Sequence, residues 1–272
     1  MHKASKVIFE NERGHPIRIA YPAPALRAVI EYYFELDLLH SPSIKSIKGL
    51  PALNTLLAFQ LRASDWTSIN DANGCVQQLK GSQFLGHLTH SYSSIYASGT
   101  QIFFIKLKPG SAVRLFRCSP TDLENNQLPL SFLFNYPNFE EQLITAGSFI
   151  TRVQYCNQVL LKKTIQLPDP GYKFKVVEHS IRKFESLQLK GEKGLEHLCH
   201  TLHVTYASMR RYFLATLGVT PKFTQRTIRF KKALQAYRQH GYKFYYEDFG
   251  YTDFSHFAKE ARAFTGKSPL EL

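Results

Sequence analysis

The final third of the chain contains one construction twice, and no other feature limits the fold so tightly. In "LCHTLHVTYASMRRYF" (198–213) the small Cys199 precedes a turn that closes at Val204, and Thr205 then stands where a helix needs an N-cap. Met209, Phe213 and Leu217 recur at helical spacing behind it and form an inner stripe. In "GYTDFSHFAKEARAFTGKSP" (250–269) Gly250 makes the turn, Asp253 caps the helix, and Phe257, Ala261 and Phe264 make the stripe. Gly266 ends that helix ahead of Ser268-Pro269. A small residue at the crossing, a tight turn and a capped second helix are what a helix-turn-helix requires. "TPKFTQRTIRFKKALQAYRQ" predicts a long helix, Pro221 to Gln239, joining the two units.

The outer faces carry the chemistry. Ala207, Arg210 and Arg211 fall opposite the first stripe, and Ser255, Lys259 and Arg262 opposite the second, with Phe254 at the leading end. The net charge of +13 is unevenly placed: residues 1–171 hold 16 basic against 12 acidic groups, and residues 172–272 hold 18 against 9. Between Thr205 and Tyr246 there are nine basic residues and no acidic one. Solvated helical surfaces mix both signs, so a block of one sign points to a polyanionic partner. Charge by itself leaves DNA, RNA and an acidic membrane open. The Ser255-His256 pair is no nucleophile and base, because neighbours on a helix point roughly 100° apart.

The first half reads differently. "PALRAVIEYYFELDL" places Leu26, Val29, Ile30 and Tyr33 at helical spacing behind Pro24 and predicts an amphipathic helix. From Leu50 to about Phe116, short apolar runs alternate with turn residues, which predicts an antiparallel sheet or open barrel. Lys80-Gly81 and Ser98-Gly99 are the expected hairpin tips, and Pro109-Gly110 fits a type II turn. Asn138 to Thr164 returns to a helical period, as a pair of helices covering the sheet or meeting a second subunit. "QLPDPG" (166–171) is the expected linker, dividing a sensor or dimerisation domain, 1–168, from an all-helical domain, 169–272. The fold class is therefore α+β: a mixed N-terminal domain with sheet and helices, and a C-terminal domain of two helix-turn-helix units joined by a long helix. No apolar run reaches the ~18 residues of a membrane span, and "MHKASKVIFENERG" lacks the apolar core of a signal peptide, which places the chain in the cytosol. Four isolated cysteines without a C-x-x-C pair disfavour zinc and redox motifs.

The resemblance to a known family lies in the same stretches. "LCHTLHVTYASMRRYFLATLGVTPKF" and "GYTDFSHFAKEARAFTGKSP" resemble the two halves of the tandem helix-turn-helix domain of AraC/XylS-type transcriptional regulators. The resemblance implies a regulator that reads double-stranded DNA through two recognition helices in successive major grooves, and no catalysis or cofactor. It implies base-facing roles for Ala207, Arg210 and Arg211 in the first unit and Phe254, Ser255 and Lys259 in the second. Thr205, Lys222, Arg226, Arg229, Lys231, Lys232, His256 and Arg262 are the expected backbone contacts. The chain departs from the family pattern at Tyr245-Tyr246, where the second unit has Ile-Ala, and at Ala261, where it has an aromatic. "YPAPALRAVIEYYFEL", "GLPALNTLLAFQL" and "IFFIKLKPGSAVRLF" resemble the sensor domain of a subset of these regulators, which implies a small effector or a homodimer; RNA polymerase is a further partner of such proteins. His87 and His90 could serve as metal ligands, but no third ligand is evident; Tyr92, Tyr96, Phe103 and Phe104 fit either an effector pocket or a packed core. Two alternatives stay open on sequence: a nucleic-acid binder without sequence preference, and a cupin-like enzyme with a basic anchoring tail.

Overall fold

The computed structural model describes residues 7–10, 16–40, 45–62, 65–132, 134, 136, 138–187 and 191–272. Eleven strands are described: β1 (Val7–Glu10), β2 (Pro16–Ala20), β3 (Ile30–Asp37), β4 (Lys45–Gly49), β5 (Leu56–Gln60), β6 (Trp66–Asn70), β7 (Val76–Leu79), β8 (Gln83–Leu85), β9 (Tyr92–Tyr96), β10 (Gln101–Leu107) and β11 (Gln127–Pro129). They form two antiparallel sheets, a larger one in the order β1-β2-β3-β10-β5-β8-β11 and a smaller one in the order β4-β9-β6-β7.

The continuous apolar run of β10 explains how the layers stack. Successive side chains of a strand point to opposite faces. Ile102 and Phe104 enter a core shared with Trp66, Leu79 and Tyr96 of the smaller sheet. Phe103 and Ile105 enter the larger core, among helices. Covered on both sides, β10 has no polar face to show. Each such large apolar side chain contributes about 1.5–3 kcal/mol on burial. Tyr92, Tyr96, Phe103 and Phe104 are all under 9% exposed, so packing accounts for these rings.

Two local expectations are corrected. The predicted helix behind Pro24 is only a 3-10 turn, Pro24–Leu26, followed by β3. Its run of Ile, Tyr, Tyr and Phe favours the pleated, half-buried environment that pairing with β2 and β10 provides. Lys80-Gly81 and Ser98-Gly99 are not hairpin tips either, because β7 and β8, like β9 and β10, lie in different sheets. These turns carry the chain between layers. Pro109-Gly110 is as expected: Gly110 has φ +75°, and Ser111 N–H donates to Lys108 O across the turn.

Four helices belong to the first half: α1 (Ser111–Phe116), α2 (Pro120–Leu123), α3 (Phe139–Thr145) and α4 (Phe149–Ile165). Phe149, Val153, Cys156 and Leu160 of α4 pack into the larger core, so this helix covers the sheet. A buried carboxylate fixes it there. Glu35 of β3 is fully buried and receives Arg152 Nη1 of α4 at 2.9 Å, Arg18 Nη1 at 3.2 Å and Gln101 Nε2 at 3.2 Å. Burial raises the Glu35 pKa against the pull of both arginines.

Beyond "QLPDPG" the chain is helical: α5 (Gly171–Glu185), α6 (Gly191–Thr201), α7 (Tyr206–Leu217), α8 (Pro221–His240) and α9 (Phe254–Thr265). α5, α6 and α7 enclose one core with Met209 and Phe213 fully buried, and α8 and α9 enclose another around Phe230 and Phe257. The first helix of the second unit is corrected to two 3-10 turns, Gly241–Lys243 and Tyr246–Phe249. Gly241 and Gly250 bound a segment too short and too aromatic to sustain α-helical hydrogen bonding.

Candidate nucleic-acid interface

In the first unit the turn closes where Val204 N–H donates to Cys199 O at 3.0 Å, and Cys199 Sγ lies 3.8 Å from Met209 Sδ. A larger residue at 199 would push the two helices apart. Thr205 Oγ1 accepts from Ser208 N–H at 3.1 Å and caps α7. A side-chain cap of this kind stabilises a helix by about 1 kcal/mol. Met209, Phe213 and Leu217 are buried as expected, while Ala207, Arg210 and Arg211 are exposed. Arg211 lies over the ring of Tyr212, 5.8 Å from its centroid, which limits the directions its fork can take.

The second unit repeats the arrangement. Asp253 Oδ1 accepts from His256 N–H at 2.7 Å, Phe257, Ala261 and Phe264 are buried, and Phe254, Ser255, Lys259 and Arg262 are exposed. His256 is half-buried with its ring edge-on to Tyr251. Tyr246 packs at the edge of a core that includes Ala261.

α8 carries both kinds of cation, on different sides. Lys222 is exposed, and with Arg226, Arg229, His256 and Lys259 it surrounds a cleft floored by Glu260. Sequence reasoning missed Glu260. Its carboxylate accepts Arg226 Nε at 2.8 Å, Arg229 Nη2 at 2.7 Å and the Tyr251 hydroxyl. Arg229 also lies over the Tyr251 ring at 4.5 Å and is only 17% exposed. Arg229, expected as a phosphate contact, thus has its guanidinium turned toward Glu260 and Tyr251. Lys231 and Lys232, also expected as backbone contacts, are placed elsewhere. They line a cavity against the first half; Lys231 lies on the side of α8 turned away from Arg229, and Lys232, three residues after Arg229, lies between the two sides.

That cavity has a volume of about 760 Å³ and lies between α5, α8 and the strands β3 and β10. Leu53, Phe174, Val177 and Ile181 supply apolar walls, and Lys106, Lys108, Arg182, Lys231, Lys232 and Arg238 outnumber Glu31, Glu178 and Glu185. Glu31 is already engaged, by Lys106 Nζ at 3.0 Å and Asn54 Nδ2 at 2.5 Å. Among the described residues no carboxylate forms an ion pair with Lys231. Burial and the nearby Lys106 charge lower the Lys231 pKa to about 8.

The C-terminal ends of both outward helices are held by the first half. Phe264 O of α9 accepts from Ser91 N–H at 3.0 Å, and Thr265 O accepts from Lys48 Nζ at 3.3 Å. These carbonyls would otherwise lack partners. Gly218, the left-handed cap of α7, lies beneath Pro120 O and the His87 ring. His87 is buried, and burial lowers its pKa to about 4. The N-terminal ends of the two helices project into solvent.

Neither a protein-family model nor a curated protein matches the sequence. Among solved structures, the chain is similar to ToxT from Vibrio cholerae bound to an unsaturated fatty acid, at 12% identity, 89% and 93% coverage of the two chains and a TM-score of 0.42. It is similar to ToxT bound to (E)-4-(8-methylnaphthalen-1-yl)but-3-enoic acid at 10% identity, 84% and 97% coverage and a TM-score of 0.46. The AraC-like transcriptional activator CuxR matches at 13% identity, 84% and 83% coverage and a TM-score of 0.31. No described helix is long and apolar enough to cross a membrane.

Proposed function

We propose that this chain is a transcription regulator of the AraC/XylS type, in which residues 169–272 bind duplex DNA in a sequence-dependent way and residues 1–168 sense an effector. The observation that carries this reading is the pairing of two capped helices with exposed cationic faces, each with its stripe buried, its C-terminal end anchored and its N-terminal turn offered outward. Helix-turn-helix proteins present the N-terminal residues of the second helix to base edges in this way. Arg210 and Arg211 suit bidentate pairing with guanine, a contact worth about 1–3 kcal/mol of discrimination. Lys222, Arg226 and Arg262 suit phosphates, which position without specifying.

Selection from a random duplex library tests the reading, with binding compared at one ionic strength because the phosphate contribution varies steeply with salt. We expect one motif to be enriched. Arg211→Ala should weaken the selected duplex about 5- to 100-fold and relax one base position, whereas Arg262→Ala should weaken all duplexes alike. Equal affinity for selected and scrambled duplexes would overturn it.

The effector belongs in the cavity between the two halves rather than inside the sheet core. Apolar walls with a half-buried ammonium that forms no ion pair suit an anion with an apolar body, and oleate, of the class named for one ToxT complex, is a direct probe. The sign of the pH dependence follows from Lys231. Its folded pKa lies below the ordinary lysine value, so an anion that pairs with the charged form takes up a proton on binding. Oleate affinity, measured by calorimetry, should fall as pH rises above about 8, and Lys231→Met should flatten that dependence.

A further inference from the structure

Tyr206 is an exposed aromatic residue to which neither the family resemblance nor the charge pattern gives a role. It occupies the first position of α7, immediately after the capping Thr205, and is 45% exposed. Phe254 occupies the same position in α9, immediately after the capping Asp253, and is 37% exposed. The caps satisfy the backbone and leave these two rings standing at the outward tips of the helices. The inner stripes are complete without them. The exposed ring of Tyr172, by contrast, is tied into the protein: it donates its hydroxyl to Leu202 O at 3.1 Å and packs edge-on against Tyr212. Among the described residues Tyr206 has no such partner.

We infer that Tyr206 determines specificity by packing its ring on the 5-methyl group of a thymine, with Phe254 making the matching contact in the second unit. The inference rests on the DNA-reading function proposed above. The first residue of a recognition helix enters the groove foremost. The major-groove edges are lined with hydrogen-bond donors and acceptors, and the thymine methyl is their one apolar feature. Arg210 follows Tyr206 by four residues and shares its exposed face, so the ring would bring an apolar contact beside that guanidinium fork, with Arg211 further round the helix. Phe254 is already braced for this role, its ring 5.7 Å from Tyr237 and 5.8 Å from Phe257.

The experiment uses the full chain and the duplex obtained by selection. Each thymine is replaced singly by deoxyuridine, which deletes only the methyl group. The wild-type chain should lose about fourfold in affinity at one thymine under α7, the effect of exposing one buried methyl-sized group. Tyr206→Ala should bind the unaltered duplex equally weakly and be indifferent to deoxyuridine at that position. Tyr206→Phe should behave as wild type, and Phe254→Ala should abolish sensitivity at a second thymine roughly one helical turn away. The inference is overturned if no thymine is methyl-sensitive, if the sensitivity survives in Tyr206→Ala, or if Tyr206→Phe weakens all duplexes alike, the mark of a hydroxyl on phosphate. Selection that enriches no motif would instead sink the DNA-reading function itself, and this inference with it.

Discussion

Glu260→Ala should destabilise the protein by about 3–5 kcal/mol, the cost of removing one partner from a buried ion pair. The side chain is 3% exposed and joins three elements, since Arg226 and Arg229 come from α8, Tyr251 from the turn, and Glu260 itself from α9. Without the carboxylate, the Arg229 guanidinium keeps Tyr251 but no counter-charge. Burial works against the charged form, but hydrogen bonds from Arg229, Tyr251 and Arg226 outweigh it and hold the Glu260 pKa below its ordinary value. A depressed carboxylate pKa gives stability that is present above the unfolded-state value and is lost as pH falls through the folded one. Urea unfolding of the wild-type chain should therefore show a stability loss on the acid side that is absent in Glu260→Gln. The variant should retain the base preference contributed by α7 and lose the contribution of α9. An unfolding midpoint equal to wild type would mean that the cluster bears no strain and that Arg229 is available to DNA after all.

What the sequence revealed and what it hid divide along the range of the interactions involved. Thr205, Asp253, Gly250 and the stripes Met209-Phe213-Leu217 and Phe257-Ala261-Phe264 act within a few residues of themselves, and each is found where local rules place it. β3 was misleading because Leu26, Val29, Ile30 and Tyr33 satisfy a helical period by coincidence, while the strand is imposed by β2 and β10, the latter some 70 residues away. Gly81 and Gly99 show the turn chemistry of hairpins, but which strand pairs with which is a long-range matter. The same holds for the cations of α8. A run of arginines and lysines on one helix reads as one surface, yet Arg229 turns to Glu260 and Lys231 turns to the cavity beside Glu31. No local rule marks Tyr206, since an aromatic residue after a cap suits core and surface alike; its exposure distinguishes it.

Gly86→Ala should be the most damaging single methyl in the first half. A Cβ at this position would lie 1.6 Å from Leu123 O, 2.7 Å from Leu123 C and 3.1 Å from Asn126 O. The obstacle is backbone, so no rotamer change relieves it. Ordinary overpacking costs about 1–3 kcal/mol, and an overlap this deep forces main chain apart and should exceed about 4 kcal/mol. The strain has a defined route. Gly86 N–H donates to Asn126 O at 2.9 Å and Asn125 N–H donates to His87 O at 2.9 Å, so the two segments are laced together. The displaced segment carries α2, and Pro120 O of α2 lies against Gly218, the cap of α7. Separating residues 86 and 123 therefore loosens the end of the first outward helix as well as the sheet. Gly147→Ala is the control, since nothing lies within 4 Å of its Cβ position and it is not among the residues of positive φ; it should change stability by less than about 1 kcal/mol. Urea midpoints for the two variants should differ widely, and protease should cleave Gly86→Ala first. Equal midpoints would show that β8 does not run against the 123–126 segment, and the support assigned to α7 would have to come from elsewhere.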